Sequence, residues 1–270
     1  MRITIFLGLF LSVISTQGQG LSQEEKKAGL TLAWKTAQDQ FVYFDQVSVN
    51  WDSLYQANLP QVLASNSTKE YYEILIKFYA QLKDGHTWIW YPDSINDQLN
   101  TIPIETALIE NKIIVTNVLN PELSKRIHRG DEIVTIQGIS AIEYGRQFIM
   151  PFVSSSTEQD LLLRTYSYDL FLGNMDEDVR LELKRQQDNS VQTIQVSRNL
   201  EFTNTFQSYE FQVLSDNVGY LKINTFYERN YKAIFDSLYS VILPPMAFSS
   251  ILGKTVEVQV FREIISYRIL

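Results

Sequence analysis

The chain has 270 residues, 45% hydrophobic and 20% charged, enough for about two domains and too apolar for a disordered or fibrous protein. Its 23 basic residues against 31 acidic ones leave a net charge of −8, which argues against nucleic acid or an anionic membrane face as the partner. It contains no cysteine, which excludes disulfides, thiol catalysis and cysteine-held metal clusters, and with only His86 and His128 as imidazoles no metal or cofactor is expected.

Residues 1–18 read as a secretory signal peptide. Arg2 gives a short positive start, Ile3 to Ile14 is an apolar run too short to span a bilayer, and Thr16 and Gly18 are small residues at the spacing of a cleavage site. The competing reading is a buried N-terminal helix. No later segment approaches the roughly eighteen apolar residues of a membrane span, so none is expected after signal cleavage. Export without cysteine fits a bacterial periplasm or exterior better than a disulfide-stapled secreted domain.

Residues 21–97 read as a helical domain. Ser22 and Glu25 have the spacing of a capping box, followed by an apolar face through Leu30, Ala33, Ala37 and Phe41. A second helix starts near Asn50 and is expected to be interrupted at Pro60. The third starts with a second capping box, Ser67 and Glu70. Tyr71, Ile74, Leu75, Phe78, Tyr79 and Leu82 then recur with helical spacing. Asp84-Gly85 is expected to end it, with Gly85 in the left-handed position past the helix. Thr87 to Tyr91 is β-prone and stopped by Pro92. Asp84 and His86 therefore fall on a helix-to-strand junction. A histidine beside a carboxylate on a short loop can serve as a general base or a hydrogen-bond post. Alternatively, Asp84 and Gly85 only make the turn.

Residues 98–200 read as a β-rich domain. Ile102 to Ile104 and Lys112 to Thr116 are short strands. Gly130-Asp131 is a turn signal, followed by a strand through Ile133, Val134 and Ile136 and a second turn at Gly138. The Arg129-Gly130-Asp131 triplet also spells a cell-adhesion tripeptide, a weak reading in this strand–turn context. Ser154 to Glu158 reads as a mobile loop and Leu161 to Leu172 as helical. Val179 to Leu183 and Val191 to Val196 alternate as a hairpin with a polar tip.

The string from Arg129 to Ile139, RGDEIVTIQGI, resembles the G-D-x-I…G core of PDZ-like domains. It follows the DGHT motif, Asp84 to Thr87, at the end of a helical domain. It precedes Val218 to Phe226, VGYLKINTF, which is similar to the strand opening a catalytic domain. In this order the motifs resemble the exported carboxy-terminal processing peptidases, also called tail-specific proteases, and the tricorn protease core. The resemblance covers roughly residues 22–243. It implies a multidomain α+β chain with a helical domain, a PDZ-like domain and the start of an α/β catalytic domain at 201–243. It also implies serine peptidase chemistry, in which a hydroxyl is activated by a base, usually a lysine, and an oxyanion hole stabilises the intermediate. Peptide or unfolded protein C-termini are the partners it implies. Gly130, Asp131 and Ile133 shape the PDZ-like turn, a structural role, while the resemblance leaves the role of Asp84 and His86 open.

The family pattern breaks after the helix expected over Tyr231 to Leu243. A strand leading to a form such as GLIIDIRxNGGG should follow, with the nucleophile beyond it. As written, residues 244–270 hold neither, so the expectation is an inactive product with no catalytic residue to assign. Reading each new codon from the third base of one residue and the first two of the next, permitted codons from Met246 onward spell GFFIDIRKNGGGSS. That is the missing motif in the expected place. It points to a frame change near Pro244-Pro245, where a repeated-C tract is a natural slippage site. The alternatives are a divergent C-terminus, an exported PDZ-like peptide-binding module without catalysis, an envelope scaffold, and a histidine-centred hydrolase using His86 with Asp84, for which the sequence offers no identifiable nucleophile partner.

Overall fold

The computed structural model describes residues 20–46, 48–203, 209–213 and 219–223, together with Ala233 and Asp236. The signal-peptide reading of residues 1–18 and the tail at 244–270 lie outside the described residues. So does the helix expected over 231–243, apart from Ala233 and Asp236, which are both helical. The described chain is mixed helix and antiparallel sheet.

Three helices open it: α1 (Gln23–Gln40), α2 (Trp51–Ala64) and α3 (Thr68–Ala80). Ser22 caps α1 through the full capping box, its hydroxyl accepting from the Glu25 N–H at 3.2 Å while the Glu25 carboxylate accepts from the Ser22 N–H at 2.8 Å. At α3 only half of the box forms. The Ser67 hydroxyl accepts from the Glu70 N–H, but the Glu70 carboxylate accepts from the N–H of Asn66, one residue earlier. Pro60 does not interrupt α2, which runs four residues past it. The proline and Gln56, whose carbonyl loses its helical donor, are both exposed, so water can take that acceptor. Beyond Pro60, Val62 is fully buried and holds the last turn against the bundle. The core centres on Leu30, Val62 and the stacked rings of Trp51 and Phe78, 4.2 Å apart between centroids. Buried Lys26 donates to the carbonyl of Ser65 at 2.6 Å, placing a cation on the C-terminus of α2.

A short helix, α4 (Asp93–Asn96), leads to the two-residue strand β1 (Leu99–Asn100) and then to the main sheet. Its strands are β2 (Ile104–Ile109), β3 (Lys112–Val118), β4 (Glu132–Ile136), β7 (Val179–Lys184) and β8 (Val191–Val196), in the order β2-β3-β4-β7-β8 with every pair antiparallel. The two-residue β5 (Ile139–Ser140) folds back on β4, and β6 (Gly173–Asn174) pairs β1. Glu110 and Asn111 both take left-handed backbone between β2 and β3, the geometry that matches the twist of a tight hairpin. The inward side chains include Ile113, Val115, Ile133, Ile136, Leu181 and Leu183. They pack under α5 (Ala141–Tyr144) and the wide helical turns over Gly145–Ile149 and Arg164–Tyr168. A separate antiparallel pair, β9 (Tyr209–Val213) and β10 (Gly219–Ile223), follows.

Three local expectations are corrected. Thr87 to Tyr91 is irregular and pairs with no strand among the described residues. The helical stretch expected from Leu161 divides into α6 (Glu158–Leu163) and the wide turn that begins at Arg164. The loop from Ser154 to Glu158 is no loose excursion. Ser154 and Ser155 are buried, and Thr157 caps α6 by accepting from the Asp160 N–H at 3.2 Å. A cap and a buried hydroxyl pair lie behind its polar composition.

Candidate functional site

The junction between helices and sheet is built from the end of α3. Leu82 is buried, and the N–H groups of Leu82 and Lys83 donate to Tyr79 and Ala80 carbonyls at 2.9 and 3.1 Å, tightening the last turn. The left-handed residue is Lys83, with φ of 51°, and not Gly85. The chain thus reverses two residues ahead of the glycine, directly after the buried Leu82. The next four residues form a turn. The Thr87 N–H donates to the Asp84 carbonyl at 3.2 Å, and the Thr87 hydroxyl donates to the Asp84 carboxylate at 2.5 Å.

This turn lifts His86 away from the protein. Its side chain is 97% exposed, and Nδ1 lies 3.9 Å from Asp84 Oδ1, close enough for attraction when the ring is charged but too far for a hydrogen bond. Beyond it the chain alternates. Trp88 and Trp90 are exposed, with ring centroids 5.4 Å apart at 90°. Ile89 packs on the helical core, and burial, reinforced by the charge of Glu73, pushes the Tyr91 phenol up. Trp88 and Trp90 are thus exposed on either side of the half-buried Ile89, and His86 stands on the turn before them.

The other wall comes from the sheet side, a contribution that sequence reading missed. Ser154 Oγ accepts from the Asp84 N–H at 3.1 Å. Arg164 donates from Nη2 to the Gly85 carbonyl at 3.4 Å and from Nε to Asp160 at 2.9 Å, and Ser155 Oγ donates to the same Asp160 oxygen at 2.7 Å. Gly85 lies close under this pair: a Cβ there would stand 3.3 Å from Arg164 Nη2, a tight approach, and 3.6 Å from Asp160 Oδ2, an ordinary contact. Behind this cluster, burial lifts the Asp169 carboxyl to about 6 against the opposing pull of Arg164. The Asp160-to-Arg164 spacing was the available signal, since four residues on a helix place opposite charges side by side.

Gly130, Asp131 and Ile133 lie elsewhere. Gly130 has a φ of 93°, backbone that favours glycine, and a Cβ there would strike Gln186. The buried Asp131 carboxylate accepts from the His128 N–H at 2.9 Å, from Arg185 Nη1 at 2.7 Å and from the Gln186 N–H at 3.4 Å. Arg185 also contacts the His128 ring and donates to the Arg126 carbonyl. Ile133 is buried between Ile113 and Leu183 in the sheet. None of these shares a hydrogen-bond partner with the Asp84–Thr87 turn.

Chemically, the turn offers an accessible imidazole with a carboxylate beside it. The Thr87 hydroxyl is engaged with Asp84, and the ring has no serine or threonine partner among the described residues. No cluster of three or more potential metal ligands occurs among the described residues either, and none of their helices is long and apolar enough to cross a membrane.

No family model matches the chain, and no curated protein matches it. Solved structures do. One, titled "Structure of mature CPAF complexed with lactacystin", superposes with a TM-score of 0.53 at 11% identity, covering 74% of this chain and 48% of that one. The chain therefore spans about half of that protein's length, and at this identity the likeness is one of fold alone.

Proposed function

We propose that the chain is the leading part of an exported serine peptidase of the carboxy-terminal processing class, carried in a gene whose frame changes near Pro244-Pro245. In this reading residues 21–97 form the helical domain, 98–200 a PDZ-like domain that presents a peptide tail, and 201–243 the start of the catalytic domain. His86, beside Asp84, is the candidate proton acceptor. In this reading the nucleophile is encoded in the shifted frame after Pro244-Pro245. The observation that carries the reading is the exposed His86 held at the seam between helices and sheet, in a chain whose fold resembles that of CPAF. A general base must be reachable by the group whose proton it takes, and this imidazole is.

The test is to sequence the gene across the codons for Pro244 to Met246 and several hundred bases beyond. One frame change is expected to restore GFFIDIRKNGGGSS and open a frame encoding the serine nucleophile. The restored protein is then expected to cut peptides near their C-termini, and the present chain to leave them intact. If the frame holds and nothing of the kind follows, the peptidase reading fails. The second reading is an exported peptide-binding module. It is favoured by the order of the main sheet, in which β2 and β8 each pair on one side only among the described residues, as strand addition requires. Peptide affinity without cleavage is its signature.

A further inference from the structure

The turn carrying His86 is weakly held from its own side. Within Lys83 to Thr87 the local bonds are those of Thr87 to Asp84 and of the Lys83 N–H to Ala80. The remaining backbone hydrogen bonds come from residues about seventy to eighty positions later, through Ser154 and Arg164. These two groups grip the peptide units on either side of the Asp84–Gly85 link: Ser154 takes the N–H of Asp84 and Arg164 takes the carbonyl of Gly85. His86 follows directly.

The grip is itself braced. Asp160 holds Arg164 Nε four residues on, Ser155 holds Asp160, and Thr157 caps α6, which carries Asp160 and leads into Arg164. The Asp160 and Arg164 side chains are 14% and 32% exposed, so the pair is partly shielded from competing water. The guanidinium is planar and donates in two directions from one rigid group, which a lysine cannot reproduce. Gly85 leaves open the space in which the guanidinium lies over the backbone.

We propose that Arg164 and Ser154 are positioning residues for His86: bonded to the peptide groups of Asp84 and Gly85, they fix the turn so that the imidazole is presented at one place and orientation. The catalytic meaning of that position rests on the peptidase reading above. The anchoring does not, and it is testable on this chain without any activity.

The experiment is amide hydrogen exchange by NMR on the full chain, with relaxation of the histidine ring signals. There are only two histidines, and His86→Asn assigns the pair. Ser154→Ala and Arg164→Met are each expected to raise exchange at Asp84 and Thr87 by about tenfold and to increase His86 ring mobility. The His128 signal and the thermal midpoint should hold, which a merely structural loss would not allow. Arg164→Lys should fall between Met and the native residue. Arg146→Met, which removes an exposed pair with Glu143, should change neither readout. Unchanged exchange and ring mobility in both Ser154→Ala and Arg164→Met overturns the proposal. If the frame-restored protein proves inactive while the exchange result holds, the peptidase reading fails and the anchoring stands.

Discussion

Replacing Asp131 with alanine is expected to cost about 3 kcal/mol, taken from the low end of what breaking a buried ion pair costs. Its side chain is 3% exposed and that of Arg185 18%. Alanine would leave the guanidinium without its counter-charge and the His128 N–H without its acceptor, each a donor worth roughly 1–3 kcal/mol when stranded. The remaining exposure of Arg185 and its bond to the Arg126 carbonyl keep the total near the lower bound. Asp131→Asn preserves shape and one acceptor oxygen, so it should cost about half as much. At 2–4 °C per kcal/mol for an ordered region of this size, Asp131→Ala should lower the midpoint by roughly 6–12 °C.

Two probes follow the transition separately. All four tryptophans, Trp34, Trp51, Trp88 and Trp90, precede the main sheet, so their fluorescence reports the helical part, while far-UV circular dichroism reports the whole chain. The sheet's share of the dichroism change should shift by the full amount, while the tryptophan transition stays in place. A double cycle with Arg185→Met isolates the pair itself. A loss below about 1 kcal/mol for Asp131→Ala would refute the view that this carboxylate organises the turn before β4.

Asp169→Asn addresses pH. The carboxyl rises from its ordinary 3.8 to about 6 because burial penalises its charge. A raised folded-state pKa means the folded protein binds that proton more tightly than the unfolded chain, so the contribution is favourable at low pH and lost as pH rises from about 4 to about 6. Relative to wild type, Asp169→Asn should therefore gain stability between about pH 4 and pH 7.5, by at most roughly 3 kcal/mol, in paired urea titrations; no pH-dependent difference sinks the argument. Gly145→Ala should destabilise by about 1–2 kcal/mol net. Gly145 has an ordinary helical φ of −58°, but its Cβ would stand 2.3 Å from the buried Tyr166 ring, so overpacking outweighs the gain in helix propensity. A raised thermal midpoint would show that the ring yields freely.

The helices were legible because their signals are local. Ser22 and Glu25 lie three residues apart, and the α3 stripe repeats with the helical period whatever packs on it. The β7–β8 hairpin was legible for the same reason, since alternation and a polar tip suffice. What failed depended on distant partners. Pro60 is tolerated because Gln56 faces water. Lys83 takes the left-handed turn directly after the buried Leu82. Ser154 to Thr157 looks loose by composition but is buried and bonded to Asp84 and Asp160. Of the candidate site, Asp84 and His86 could be named from their spacing in one loop. Ser154 and Arg164 could not, because nothing in the sequence says that the chain returns to that loop some seventy residues later.

The same arrangement bears on how the molecule comes apart. Its two apolar clusters have no residue in common. The named bonds between them are directional and few: Ser154 to Asp84, Arg164 to Gly85, and the Lys77 ammonium 4.4 Å from the centre of the Phe152 ring. Each contributes on the order of 1 kcal/mol, against roughly 1.5–3 kcal/mol for every fully buried aliphatic side chain within a cluster. The seam therefore fixes orientation while supplying a small share of the stability. Substituting Asp131 should weaken the sheet and leave the tryptophan transition where it was. If the two transitions instead move together, the seam couples the clusters far more strongly than its bonds account for, and His86 stands on a single cooperative unit rather than at the boundary between two.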